Sequence, residues 1–541
     1  MSDSLSILER NLSALYRRDP HLLDRMADSV RSDQLRIDED GWSLRWRRGW
    51  YPLSLDVEAL SRIVRPVDGV RLSLLGAGDG TLLKVALEDP AQIQRITLWE
   101  PDPYVLRAVL GRVDVSEALH DGRLRLMLGA DLLRMDPNES RWVHPVVERL
   151  YERELAAFLH DGERVLVVEG ELVVEELLEA LARQGAHAWT LSATRDSIDE
   201  LGHTARMVGA TRLYSINYLE GLTEFANEHG LELFVWEIDP VTSPLKRPAT
   251  STDHVRVFCH RRANIARYLS AGYRHVEHLP LATDAFRRVP QEVVDERYRV
   301  PLAFVGSSLV ANADVCRARF LDGLRQGVEL DRETADAVLE RLLSAQANEL
   351  EFILDELWSD SPFSGDDDAN FLGESPVMLV GEVAGSARRL EQAQSLAALG
   401  LAVWGDEGWE EVSGLDVRGP AGHTVELDRV HAGATLVVDL SRLYQPDIVT
   451  LRVFDAMAVG APVLAPWSED LEACFEPGVE VLVYTDTESL VRVAREALAD
   501  PERLAEIARR GRERVLREHT IDHRLETMHA LSDRARLRRA G

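Results

Sequence analysis

The chain has 541 residues, 45% hydrophobic and 28% charged, with 62 Lys and Arg against 92 Asp and Glu for a net charge of −30. This composition predicts a globular protein of several domains, and its acidity argues against sequence-independent nucleic-acid binding or docking on anionic lipid, which both draw on basic surface. Cys259, Cys316 and Cys474 lie too far apart in sequence for a disulfide framework or a cysteine metal cluster, no run reaches the ~18 apolar residues of a membrane span, and the start MSDSLSILERNL lacks signal-peptide character, so a cytoplasmic protein is expected.

Residues 1 to about 65 carry helical patterning, then a patch in which Trp42, Trp46 and Trp50 alternate with arginines, read as a β-hairpin packed on the next domain. Strands at 70–75, 95–99 and 124–128 alternate with helical stretches, which predicts a Rossmann-type unit and a first domain over 1–150. A second α/β domain, 160–295, has expected strands at 164–168, 188–191, 212–215, 231–236 and 255–258. A third, 300–541, starts with a strand at 300–306, followed by a helical insertion at 312–356 and an acidic loop at 359–370. Further strands are expected at 376–380, 401–404, 435–440, 462–465 and 481–484, then C-terminal helices from Thr487. The basic run 534–539 reads as a helix end.

The stretch 434–464 carries the most chemistry. An apolar strand runs into a polar loop, then a helix from Thr450 to Val459 that Gly460 and Pro462 stop. Ligands sit at strand carboxyl ends and helix N-termini in such units. Asp447 and Asp455, with Arg452 between them, flank this N-terminus. The two acids suit sugar and ribose hydroxyls, while Arg452, Thr450 and the helix amides suit phosphate, so a nucleotide-sugar site is expected.

Other candidates follow from the same rule. Gly306 and Ser307 directly follow a strand, and Gly381 follows the strand expected at 376–380; a glycine there lets backbone approach a ligand. Trp404, with Trp409, is placed beside a nucleotide base. Asp239 closes a strand of the second domain as a candidate base towards an acceptor hydroxyl, with Glu237 on the same face by alternation. Gly76, Gly78 and Gly80 form a glycine loop after a strand, and Glu100 ends the next strand, a layout that could hold S-adenosylmethionine. His254 and His260 lack metal-ligand spacing and read as core or surface residues. Asp366, Asp367 and Asp368 read as solvation, and no metal site is expected.

Residues from about 205 to 530 resemble the bacterial spore-maturation (CgeB-like) glycosyltransferases, of the group-1 class with the GT-B fold. The resemblance rests on WEIDP at 236–240, HLPLATD at 278–284, FVGSS at 304–308, WGDEGW at 404–409, LYQPDIVTLRVFD at 443–455, FEPGVE at 475–480 and HTIDHR at 519–524. It implies a GT-B-like pair of Rossmann domains, here with an extra N-terminal Rossmann-like, methyltransferase-like domain. It implies sugar transfer from a nucleotide-diphosphate sugar to a protein, lipid-linked glycan or small-molecule acceptor, without metal or other cofactor. Asp455 takes the ribose role, Asp447 contacts the donor sugar and Arg452 neutralises the diphosphate. The class usually has Glu where this chain has Asp447 and Asp455, and an Arg–Lys pair at the phosphates, whereas 377–410 holds Arg388 and Arg389 but no lysine. The first domain is also similar to the N-terminal part of flagellin-modifying motility accessory proteins. Two alternatives stand beside this reading: an S-adenosylmethionine-dependent methyltransferase or methyltransferase–glycosyltransferase fusion, and a non-catalytic sugar-nucleotide-binding protein.

Overall fold

The computed structural model describes residues 6–27, 34–39, 41–46, 49–67, 70–88, 91–239, 245–291, 293–347, 349–364, 371, 373–422 and 425–540, with backbone alone for 534–540. Asp366, Asp367 and Asp368 lie outside the described residues, as do the side chains of the basic run at 534–539. The chain divides into two compact units, 1–236 with 248–256, and 237–247 with 257–541. Both are α/β, and apart from one small antiparallel sheet every described strand pairing is parallel. Among the described residues no helix is long and apolar enough to cross a membrane.

In the first unit, β1 (Leu35–Asp38), β2 (Gly41–Trp46) and β3 (Gly49–Pro52) form the antiparallel sheet. The expected hairpin is therefore three-stranded, and Trp42 and Leu44 reach the core of the neighbouring parallel sheet. That sheet holds β4 (Arg71–Leu75), β5 (Arg95–Glu100), β6 (Leu124–Leu128) and β7 (Ser140–Val143) in the order β6-β5-β4-β7. Next come β8 (Glu163–Val168), β9 (Ala186–Leu191), β10 (Arg212–Ile216) and β11 (Glu232–Glu237), in parallel with β10 between β11 and β8.

In the second unit, the last three residues of β12 (Val255–Cys259) pair with β13 (Val276–His278), Val257 opposite Val276. The remaining strands, β14 (Val300–Val305), β15 (Leu401–Trp404), β16 (Asp416–Val417), β17 (Ala434–Val438), β18 (Val463–Pro466) and β19 (Leu482–Tyr484), form one sheet ordered β16-β15-β14-β17-β18-β19. Its central strands are near-continuous apolar runs because helices cover both faces. Leu302, Phe304, Val403, Leu436, Val438 and Leu464 form the core with the C-terminal helices. The helical insertion is broken into Val310–Asp322, a π turn Gly323–Gly327, Arg332–Ala347 and Leu354–Ser359.

One expected strand is a helix. Residues 376–380 open the 22-residue helix Pro376–Ala397, with Ser375 as N-cap accepting from the Met378 amide and Pro376 at its first position. Ser-Pro is itself a helix-start signature, and the apolar run PVMLV lies where this helix packs against the insertion. Gly381 is thus in a helix interior, where an added Cβ would lie 3.2 Å from the Phe352 ring.

Arg25 holds the first unit together electrostatically. It donates to Glu200 at 2.5 Å, Asp131 at 2.8 Å and the Leu128 carbonyl at 2.9 Å, and His203 contacts Asp131 at 2.9 Å. Arg25, Asp131 and Glu200 are all buried. Arg25→Met strands two buried carboxylates, and a loss of about 3–5 kcal/mol is expected, read as a lower urea midpoint for the first unit.

Candidate functional site

Successive crossovers of the second unit's large sheet leave in opposite directions from β14 and β17, which opens a crevice at their carboxyl ends. Gly306, Ser307 and Ser308 follow β14. The Ser307 hydroxyl accepts from the Leu309 amide at 3.0 Å. The Ser308 amide donates to Asp406 at 2.8 Å, and the Ser308 hydroxyl bonds the same carboxylate. Gly306 must be small, because an added Cβ would lie 2.8 Å from an Arg452 guanidinium nitrogen and 2.9 Å from the Phe304 ring.

Asp439, buried just past β17, organises the other wall. Its carboxylate bonds Arg452 and accepts from the Thr450 hydroxyl at 3.0 Å, and its carbonyl accepts from Tyr484 at 2.8 Å. Arg452 also donates to the Val305 carbonyl at 2.7 Å and stacks 4.4 Å from the Phe304 ring centre. Thr450 is the N-cap of the helix Leu451–Val459; no described side chain caps it, and the Val453 amide donates to the Thr450 carbonyl at 3.1 Å, which leaves the amides of Leu451 and Arg452 at the start of the helix.

A second guanidinium completes this wall. Arg389 donates to the Ser307 carbonyl at 2.8 Å and the Leu440 carbonyl at 2.6 Å, and lies 5.6 Å from the Phe304 ring. Burial, then the neighbouring charges of Arg452 and Arg442, push it down to about 10. One buried and one half-buried guanidinium beside a helix N-terminus that no described side chain caps favour an anion. In the sequence Arg389 is marked only as an arginine in a stretch, 377–410, that holds no lysine. Its signal was a charge within the buried stripe Gly385, Arg389, Ala393 and Leu396.

The two expected acids have partners in the segment after β12. Asp447 accepts from Arg261 at 2.7 Å. Asp455 lies in the second helical turn, mostly buried, accepts from the Thr283 hydroxyl at 2.6 Å and is 3.5 Å from Arg288, which itself pairs with Asp428 at 2.7 Å. Asp455 therefore sits on the helix's buried side rather than at its N-terminus.

Other candidates are placed differently from expectation. Trp404 is a core residue, 6.3 Å from the Tyr298 ring with Arg418 over its face at 5.3 Å, because it ends a strand covered on both faces. β11 stops at Glu237, so alternation ends there: Asp239 is exposed, while Glu237 is fully buried and accepts from Asn264 at 2.6 Å. Burial pushes the Glu237 carboxyl up to about 7.

The glycine loop of the first unit is filled by its own protein. A Cβ at Gly76 would meet Val147 at 2.6 Å, one at Gly78 the His144 ring at 2.7 Å, and one at Gly80 Val113 at 2.8 Å. Glu100 accepts from the Ala77 amide at 2.7 Å and the Asp102 amide at 3.0 Å, and burial pushes it up to about 8. The acid expected at a ribose thus makes two hydrogen bonds that close the loop, and neighbouring side chains fill the Cβ side of Gly76, Gly78 and Gly80.

Residues 387–530 match the family model described as "Glycosyl transferase-like". No curated protein matches the chain. Among solved structures it is similar to a glycosyltransferase from Rickettsia africae ESF-5 (7% identity, 69% of this chain and 99% of that chain, TM-score 0.42). It is also similar to Anabaena Alr3699/HepE in complex with UDP-glucose (12%, 68% and 99%, 0.40) and to the MAf glycosyltransferase from Magnetospirillum magneticum AMB-1 (12%, 98% and 97%, 0.21). At TM-scores below 0.5 these are partial likenesses of shape.

Two measurements follow from this geometry. Titrating the full chain with S-adenosylmethionine in a calorimeter should give no saturable heat. Burial, with nearby arginines, holds three histidines neutral in the second unit: His260 and His519 are pushed down to about 4, and His431 to about 3. The unfolded chain therefore binds more protons below its ordinary histidine pKa, and stability falls as pH drops from 6.5 towards 4. Glu237 opposes this above about 4.5, because the folded chain keeps its proton. These four groups should steepen the fall to about 2–3 kcal/mol per pH unit near pH 5.5. His431→Leu, which removes two unpartnered buried nitrogens, should make that slope shallower by about 1 kcal/mol per unit in urea unfolding.

Proposed function

We propose that the protein is a glycosyltransferase that moves a sugar from a nucleotide-diphosphate sugar to an acceptor hydroxyl. The observation that carries this reading is the pair Arg389 and Arg452, stacked on Phe304 beside the uncapped Leu451–Val459 helix, inside the segment matched as glycosyl transferase-like. Breaking the bond between sugar and diphosphate leaves negative charge on the departing oxygen. Two fixed guanidiniums and free helix amides stabilise that charge without reorganising, which lowers the barrier. Arg389 takes the place that a lysine holds in the group-1 class.

In this reading the donor exchanges its hydroxyls for existing bonds. A ribose hydroxyl replaces Thr283 on Asp455, a bond of the same kind as the one now made at 2.6 Å, and a donor-sugar hydroxyl replaces Arg261 on Asp447. Gly306 and Ser307 bring backbone to the phosphates. Asp239, exposed after β11 and electrostatically beside Arg442, receives the acceptor's proton. The domains at 160–295 and 300–541 act as the acceptor and donor halves of a GT-B enzyme. The finer reading is a metal-independent, cytoplasmic enzyme of the CgeB-like kind. The self-filled glycine loop weighs against the methyltransferase alternative.

Calorimetry with UDP, GDP and dTDP tests this. At least one should bind saturably. Arg389→Lys and Arg452→Lys keep the charge but lose the fork, and each should weaken that binding about 10–100-fold with little change in thermal midpoint. No binding of any of the three, or unchanged affinity in both variants, overturns the assignment. Binding without turnover of the matching nucleotide sugars would favour the non-catalytic alternative.

A further inference from the structure

A cavity of about 430 Å³ lies between the helices Val310–Asp322, Arg332–Ala347 and Pro376–Ala397 of the second unit. It is separate from the crevice. Ala393 and Leu396 turn one side of the Pro376–Ala397 helix into the core of the large sheet, with Arg389 in the same stripe. The cavity takes the other side, where Ala384, Ala387 and Arg388 line it. Its floor is apolar: Ala313, Val383, Ala384 and Leu443 are buried members of the core that joins the insertion to this helix. Ala347 and Ala387 border it from exposed positions, and their short side chains leave a way in from solvent.

The volume is that of a small-molecule site, for which roughly 300–1,000 Å³ is usual. An engineered apolar cavity of about 150 Å³ holds benzene, so this one has room for a body of roughly ten to fifteen non-hydrogen atoms. The wall adds a charge that the protein leaves without a counter-ion. Arg388 donates to the Leu350 carbonyl at 2.9 Å and to the Glu349 carbonyl, and the rest of the guanidinium's five N–H donors are spare. No carboxylate pairs with it among the described residues, and Glu391, one turn on, acts on it only at longer range. Arg388 is half-buried, and that burial pushes its pKa down, the mark of a cation that has lost water without gaining an anion. The other charges at the rim are already served. Arg317 pairs with Glu340 at 3.3 Å, and Asp314, Glu391 and Glu411 are exposed to water and salt, which screen them.

We propose that this cavity binds an anionic amphiphile, an alkyl or aryl chain ending in one carboxylate or phosphate, with the chain on the floor of Ala313, Val383, Ala384 and Leu443 and the anion on Arg388. The anion gives the spare N–H donors a charge-assisted partner, and the chain and the floor remove each other's apolar surface from water. The inference does not depend on the glycosyltransferase reading.

Calorimetry of the full chain with octanoate, octyl phosphate, 1-octanol and octylamine, each below its micelle concentration, tests it. Octanoate or octyl phosphate should bind saturably at one site, and whichever is tighter identifies the head group. Octanol should bind about tenfold more weakly, the worth of one charge-assisted hydrogen bond. Arg388→Met keeps the apolar stem and removes the charge, so it should bring the anions down to the octanol affinity and leave octanol within about twofold. Ala387→Leu, at an exposed helical position that accepts leucine readily, narrows the way in and should weaken anions and octanol alike by about tenfold or more. Saturating UDP should leave the affinity for the anion within about twofold, because the crevice is on the helix's other side. No saturable binding of either anion, octylamine binding as tightly as the anions, wild-type affinity in both variants, or displacement by UDP overturns the proposal.

Discussion

The ion pair between Arg452 and Asp439 is the constraint that the crevice at the ends of β14 and β17 depends on. Asp439 is 1% exposed just past β17, and a carboxylate so deeply buried is tolerated only when paired and hydrogen-bonded. Arg452 and Thr450 meet that need and in doing so fix the start of the Leu451–Val459 helix against the sheet. Arg452 then reaches β14 through the Val305 carbonyl, which forces Gly306 to be glycine and brings Ser307 within reach of Arg389. One buried charge thus sets the helix N-terminus, the turn after β14 and two guanidiniums in a single geometry, prepared before any ligand arrives.

Most of the strand framework was legible because central parallel strands are buried on both faces and read as unbroken apolar runs. The helix stop at Gly460 was legible too: its φ of +98° is a conformation that glycine adopts without strain. The run at 376–380 misled for the same reason that the others did not. A helix wedged between a sheet and an insertion is apolar over its first turns, and periodicity cannot separate it from a strand at that length. Ser375-Pro376 was the better guide.

The site was less legible than the fold. Asp447, Arg452 and Asp455 stand out by spacing, yet spacing says nothing of their partners, and Thr283, Arg261 and Arg288 come from nearly two hundred residues away. Arg389 sits alone in a helix, and Asp439 and His260 each directly follow a strand. What distinguishes them is burial, which tertiary packing decides. The two glycine loops make the same point. Gly76 to Gly80 has the fuller nucleotide-binding pattern, but His144 and Val147 pack against it, whereas Gly306 has little pattern and lies against Arg452. A fingerprint records how a turn is built, and the side chains arriving from later strands determine whether anything is left to bind.

Phe304 has a consequence for how the crevice responds to its medium. Its ring lies under both guanidiniums, at 4.4 and 5.6 Å, and is itself fully buried. Counter-ions screen charges that they can surround, over a Debye length of roughly 8–10 Å at moderate ionic strength. They cannot surround a charge with an aromatic floor and a protein wall. Arg389, almost wholly enclosed by protein, is therefore screened by bulk salt far less than a surface charge would be, even in a chain whose net charge is −30.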